Sequence, residues 1–230
     1  MKKQAVVLAG GLATRLYPLT EKIPKSMVDI KGKPFFEHQI ALCRRNGIGE
    51  IVFCGGYLWE QVADYFGDGR RFGIKIEYSI EKEKLDTGGA LKNAMNRLRE
   101  EFFVVYGDSY LDIDWKSVWK FYKESKAKGL MTVYRNRPED NLKSQITMSR
   151  EGRIIEFTKE NFTDSMKFIE YGLNILRRET MNKITEKTFP IGHYFNFLIE
   201  RNQLIGYESP KVFQEIGSFE GIKKLTDLLD

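Results

Sequence analysis

Short runs of consecutive apolar residues alternate along this chain with longer stretches whose apolar positions recur every three or four residues. Ala5-Val6-Val7-Leu8-Ala9 is continuous in apolar character and stops at Gly10-Gly11, the pattern of a strand covered on both faces. Pro34 suits a first helical turn and predicts a helix to about Arg45, ended by Asn46-Gly47. Ile51–Cys54 reads as a second strand halted by Gly55-Gly56, Leu58–Phe66 as a helix, and Ile74–Tyr78 as an alternating strand. Gly89–Leu98 looks helical, and Phe102–Tyr106 is the next buried strand, closed by Gly107-Asp108. The rhythm is β-α-β-α-β-α-β, which predicts a mostly parallel sheet with helices on both faces.

The second half is less regular. A helix near Ser117–Lys128 precedes strands at Met131–Tyr134, Gln145–Met148, Ile154–Phe157 and Phe168–Ile175. Helices follow near Arg178–Ile184, Tyr194–Arg201 and Phe219–Leu229. With no repeat and no Pro/Ser-rich linker, residues 1–230 read as one domain. The expected architecture is Rossmann-like: three α/β/α layers, a mostly parallel mixed central sheet and a β-rich insertion in the second half.

Composition narrows the partners more than the fold. The 42% hydrophobic content suffices for one buried core, and the net charge of +5 is spread along the chain as a solvated surface would spread it. That bias also suits an anionic small substrate. No apolar run reaches the roughly 18–20 residues of a membrane helix. Met1-Lys2-Lys3-Gln4 leads straight into the first strand without a signal-peptide core, so a cytoplasmic protein is expected. Cys43, Cys54, His38 and His193 are too few and too scattered for a zinc cage or a disulfide framework. No basic stripe with interleaved aromatics points to nucleic acid. Tyr194, Phe195 and Phe197 read as helix packing or as a homodimer surface.

The chemistry is concentrated in Leu8-Ala9-Gly10-Gly11-Leu12-Ala13-Thr14-Arg15-Leu16-Tyr17-Pro18-Leu19-Thr20, continuing to Pro24-Lys25-Ser26. A glycine pair directly after a strand lets bare backbone amides face a ligand, at the strand end where open α/β sheets bind. Arg15 can clamp phosphate oxygens and Lys25 adds a mobile point charge. Together they suit a polyphosphate. The chain has no G-x-x-x-x-G-K-[ST], and no G-x-G-x-x-G follows the first strand, which excludes a P-loop ATPase and counts against a dinucleotide oxidoreductase. Asp108 is by itself either a turn residue or a metal ligand, and Asp112 and Asp114 read as a helix cap.

This string resembles the opening signature of the sugar-1-phosphate nucleotidyltransferases (nucleotide-sugar pyrophosphorylases), L-A-G-G-x-G-T-R-L-x-P-L-T then P-K-P, in its short single-domain branch. Leu8 to Gly11, Thr14 to Leu16, Pro18 to Thr20, Pro24 and Lys25 match; Ala13 and Ser26 depart from glycine and proline. The resemblance implies transfer of a nucleoside monophosphate from an NTP to a sugar 1-phosphate, giving an NDP-sugar and pyrophosphate. The acceptor phosphate attacks in line, assisted by magnesium. On that analogy Leu8, Ala9, Gly10, Gly11 and Thr14 bind the nucleotide. Arg15 stabilises the departing pyrophosphate, and Lys25 holds the sugar phosphate.

The rest of the site follows from the same resemblance. Asp108 becomes a metal ligand, with Glu215 standing where the family has aspartate, one methylene longer. Thr87 and Gly88, in Leu85-Asp86-Thr87-Gly88-Gly89, are expected against the base. Glu81 matches a frequently acidic position and reads equally as a solvated charge. Lys159 is expected at the sugar phosphate, with Thr158 replacing an acid. Glu170 replaces an asparagine and Gly172 matches a glycine, which implies altered reading of the sugar hydroxyls. A cytidylyltransferase for a non-sugar, phosphocholine-like monoester shares the Gly-Gly loop and the lysine. A nucleotide-binding regulatory subunit without turnover is the reading from another class, and Glu215 is the feature in its favour.

Overall fold

The computed structural model describes residues 3–140 and 142–229; Met1 and Lys2, at the start of the leader reading, lie outside the described residues. Strand β1, Lys3–Ala9, is the axis of the molecule. Ala5 and Val7 pack into one hydrophobic cluster and Val6 and Leu8 into another, so the strand is covered on both faces. A small hairpin of β2 (Asp29–Ile30) and β3 (Lys33–Pro34) leads into α1, Phe35–Arg45. Then come β4 (Ile48–Gly55), α2 (Trp59–Phe66), β5 (Lys75–Ile80), α3 (Asp86–Asn93) and β6 (Glu101–Tyr106). Strand β1 pairs in parallel with β4 and with β6, and β4 in parallel with β5. The half-sheet order β5-β4-β1-β6 puts a topological switch point between β1 and β6, where such sheets open a crevice.

The second half widens the same sheet. After β7 (Ser109–Tyr110) and α4 (Trp115–Ser125) come β8 (Gly129–Arg135), β9 (Ile146–Met148), β10 (Ile154–Phe157) and β11 (Phe168–Arg177). Strand β11 lies antiparallel to β6, β8 and β9, and β10 antiparallel to β9. The short helix α5 (Arg178–Met181), α6 (Ile191–Ile199), β12 (Leu204–Glu208), β13 (Gln214–Glu215) and α7 (Phe219–Leu228) complete the chain. The β-rich insertion is thus part of a mixed nine-stranded sheet.

Several boundaries differ from the pattern for identifiable reasons. Helix α4 starts at Trp115 because the Asp114 carboxylate accepts the Lys116 N–H at 2.9 Å and the Ser117 hydroxyl at 2.7 Å; Asp112 instead pairs with Arg45. It stops at Ser125 because Lys126 turns left-handed. Helix α3 covers Asp86–Asn93 and passes into a 3-10 turn at Met95–Arg97. Strand β12, parallel to β8, is absent from the periodicity reading: Gly206 interrupts its apolar run so that Met148 and Ile154 can pack close. Tyr194 and Phe195 are fully buried and serve helix packing, while Phe197 is half-buried.

Candidate active site

Strands β1 and β6 end side by side, and the Gly107 N–H donates to the Leu8 carbonyl at 2.8 Å, tying the two exits together. A cavity of about 840 Å³ opens there. Leu8, Ala9, Gly10, Gly11 and Thr14 form one wall, Lys25, Asp108 and Lys159 supply charge, and Glu81, Thr87 and Tyr106 complete the boundary. Most of the residues singled out in the sequence are therefore brought to one crevice.

The loop between β1 and the first hairpin is braced from within. Ala13, where the resemblance has glycine, takes φ 54° and ψ 40°, and the buried Thr20 hydroxyl donates to its carbonyl at 2.8 Å. The loop then carries Lys25 across the crevice, where its Nζ lies 2.9 Å from Asp108 Oδ2. Asp108 is held from behind. Gln39, buried on α1, donates to the carbonyls of Tyr106 at 2.9 Å and Ser109 at 2.8 Å, on either side of the Gly107-Asp108 turn. Gln39 was missed in the sequence; the available signal was a polar residue on the helical stripe of Phe36, Ile40 and Cys43.

Glu81 belongs to the wall and is no freely solvated charge. Its carboxylate accepts the Leu85 N–H at 3.2 Å, and its Oε1 lies so close to Gly10 and Gly56 that a methyl group on either would collide with it. Burial raises its carboxyl above the usual range. Thr87 also lines the cavity, and its hydroxyl accepts the Ile191 N–H at 2.9 Å at the start of α6. Gly88 corrects an expectation. Its N–H is spent on the Phe189 carbonyl at 2.9 Å, and a side chain there would strike the Phe189 ring, so this residue serves close packing of α3.

Glu170 is a second correction. It is buried on β11 behind Tyr106, whose hydroxyl donates to its Oε2 at 2.9 Å, while Asn174 donates to its Oε1 at 3.0 Å. Burial raises the Glu170 carboxyl, with the nearby Lys159 charge and these donors pulling the other way. Direct reading of sugar hydroxyls by Glu170 is not what this placement offers. Gly172 (φ 73°) shapes the irregularity in the β11–β8 pairing and packs against Ser109, outside the cavity wall.

Glu215 sits opposite Ser109 in the β7–β13 pair, and the Ile216 N–H donates to the Asp108 carbonyl at 2.9 Å, so the two expected metal ligands are on adjacent backbone. Arg15 is exposed and stands outside the cavity wall, its guanidinium over Gly217 on the side of Glu215. No cluster of three or more His, Cys, Asp or Glu that could hold a metal occurs among the described residues. Cys43 and Cys54 are free and buried, and burial pushes each thiol up to about 12, which leaves neither as a nucleophile.

A sequence model of the family described as nucleotidyl transferase matches residues 4–194. The chain belongs to that family. This nucleotidyltransferase is 33% identical over 179 residues to the D-glycero-alpha-D-manno-heptose 1-phosphate guanylyltransferase of Campylobacter jejuni, with 78% of each chain covered. It is 28% identical over 183 residues to the mannose-1-phosphate guanylyltransferase of Mycobacterium tuberculosis, covering 79% of this chain and 51% of the relative. Among solved structures, HddC from Yersinia pseudotuberculosis superimposes with a TM-score of 0.82 at 25% identity, over 99% of this chain and 100% of that one. HddC is also known complexed with GMP-PN. The resemblance read from Leu8 to Lys25 and the α/β architecture are both borne out. No helix among the described residues is long and apolar enough to cross a membrane.

Proposed function

We propose that this nucleotidyltransferase transfers a guanylyl group from GTP to a sugar 1-phosphate, giving a GDP-sugar and pyrophosphate. The observation that carries this reading is the crevice at the ends of β1 and β6, where the Gly10-Gly11 backbone faces Lys25, Asp108 and Lys159. Relatives named as guanylyltransferases of heptose and mannose 1-phosphates support the base and the acceptor class. Glu81 supports guanine as well, because a carboxylate accepts both N–H groups of the guanine edge, which uracil and cytosine do not present.

The reaction needs no covalent enzyme intermediate. An oxygen of the sugar phosphate forms a bond to the α-phosphorus of GTP, the bond from that phosphorus to the bridging oxygen breaks, and the electron pair leaves with pyrophosphate. Catalysis is then alignment and charge neutralisation. In this reading the glycine loop with Thr14 cradles the triphosphate, and Lys25 and Lys159 hold the acceptor phosphate. Arg15, on the same loop as Thr14 but outside the cavity wall, is the group that meets the leaving pyrophosphate.

Asp108 and Glu215 would hold magnesium. Two carboxylates on adjacent backbone, with no group of three or more His, Cys, Asp or Glu among the described residues, fit an ion that keeps most of its shell for phosphate oxygens and water. When bound, the ion neutralises charge on the triphosphate.

A matrix of the four NTPs against mannose, glucose and heptose 1-phosphates and phosphocholine with magnesium chloride, read by pyrophosphate release, tests the proposal. Turnover concentrated on GTP with a sugar 1-phosphate is the expected result. Turnover with CTP and phosphocholine, or none with any pair, would overturn it.

A further inference from the structure

Tyr106 is the last residue of β6 and stands in the cavity wall with Asp108 and Lys159. Its hydroxyl donates to Glu170 Oε2 at 2.9 Å, and the other oxygen of that carboxylate is taken by Asn174 at 3.0 Å. A phenol carries one proton. With that proton spent on Glu170, the Tyr106 oxygen has only lone-pair density to offer a ligand. Such an oxygen accepts from a hydroxyl and repels a phosphate oxygen, and the carboxylate behind it repels an acidic sugar. The ammonium groups of Lys25 and Lys159 lie in the same wall and are the partners for phosphate.

The backbone makes this arrangement rigid. Gly172, with φ 73°, lies where the β11–β8 register shifts between Glu170 and Asn174, and the two side chains meet across it. Gln39 fixes the Tyr106 carbonyl from the other layer. Tyr106 is therefore held at its hydroxyl and at its backbone, and the residue lines the cavity.

Resting on the function given above, we propose that Tyr106 is a specificity-determining residue whose oxygen accepts a hydroxyl of the sugar half of the acceptor. Glu170 is the positioning residue that keeps that oxygen an acceptor. The acceptor class is a neutral, hydroxylated sugar 1-phosphate, in preference to a uronic acid 1-phosphate or an analogue lacking the contacted hydroxyl.

The test uses the full chain and its Tyr106→Phe, Glu170→Gln and Glu170→Leu variants. KM and kcat are measured for GTP, mannose 1-phosphate, its monodeoxy analogues and glucuronic acid 1-phosphate. Tyr106→Phe should raise the KM for mannose 1-phosphate about tenfold, the loss of one hydrogen bond, while the KM for GTP stays at the wild-type value. The penalty should vanish on one deoxy analogue. Glu170→Gln, whose amide oxygen still accepts the phenol proton, should stay near wild type, and Glu170→Leu should behave as Tyr106→Phe does.

An unchanged acceptor KM in Tyr106→Phe, or an equal rise for GTP and acceptor, overturns the proposal. Tyr106→Phe keeps the ring and so decides the matter even if Glu170→Leu does not fold. If the wild type turns over no pair, the preceding functional reading fails by itself. Calorimetric titration of mannose 1-phosphate into wild type and Tyr106→Phe then judges Tyr106 alone: weaker binding to the variant supports it, and equal or absent binding overturns it.

Discussion

Lys25 Nζ rests 2.9 Å from Asp108 Oδ2, so the ammonium that a phosphate would take and the carboxylate that a metal would take neutralise each other in the free protein. Both side chains keep some contact with solvent, at 18% and 27% exposure, which leaves the pair little to contribute to folding. In the proposed reaction the pair has a second role. A metal–nucleotide complex entering the crevice can separate the two, each finding a stronger partner, without stranding either charge.

Lys25→Ala and Asp108→Asn should each lower kcat by roughly 10²–10³-fold, the scale of losing one electrostatic group at a reacting phosphate. Stability should change by about 1 kcal/mol or less, because the pair is partly solvated. Asp108→Asn should also raise the magnesium concentration needed for half-maximal rate. Steady-state kinetics with a magnesium titration, beside urea melts, separates these effects. Wild-type kcat in both variants would remove the pair from the mechanism.

Ala13 occupies left-handed backbone space at φ 54°, which costs an L-residue about 1 kcal/mol relative to glycine. The turn is retained because Thr20 and the following 3-10 turn define it. Ala13→Gly should therefore raise the stability by about 1 kcal/mol, less the added freedom of the unfolded chain. A urea midpoint at or below that of the wild type would show that the loop carries no strain there.

Gln39→Leu should cost about 2–4 kcal/mol, because the carbonyls of Tyr106 and Ser109 both lose a buried donor. It should also lower kcat, through a looser Gly107-Asp108 turn, with the KM for GTP less affected. Chemical denaturation and kinetics on one preparation check both. A variant as stable and as active as wild type would assign the turn to the strand pairing alone.

The first half of the fold was legible because three of its parallel strands are local apolar runs closed by glycine, Ala5–Ala9 before Gly10, Ile51–Cys54 before Gly55 and Phe102–Tyr106 before Gly107, and the fourth alternates. Of the charged residues lining the cavity, Lys25 stood out in its loop, while Asp108 and Lys159 were placed there by the family resemblance. What escaped depends on contacts between distant segments. Strand β12 exists by pairing with β8, and Gln39 acts on a turn 67 and 70 residues away. Glu170 was assigned to the ligand from its position in a string, and only tertiary packing reveals that both its oxygens are already satisfied by Tyr106 and Asn174.

The buried Glu170 also gives the protein a pH signature of defined sign. Burial is the dominant influence and raises its carboxyl, against the opposing pull of Lys159, Asn174, Tyr106 and the Gly172 N–H. In the unfolded chain the same group titrates near the ordinary glutamate value of about 4.3. Between that value and the raised native one, the folded state keeps a proton that the unfolded state has released. Stability from this group therefore falls as pH rises through the window, and the loss is constant above it. Glu170→Gln carries no such proton, so its stability relative to wild type should climb with pH across the window and then level off. Urea midpoints of the two proteins at a series of pH values measure that difference. A difference that stays flat, or declines as pH rises, would mean that the hydrogen bonds and the Lys159 charge outweigh burial at this carboxylate.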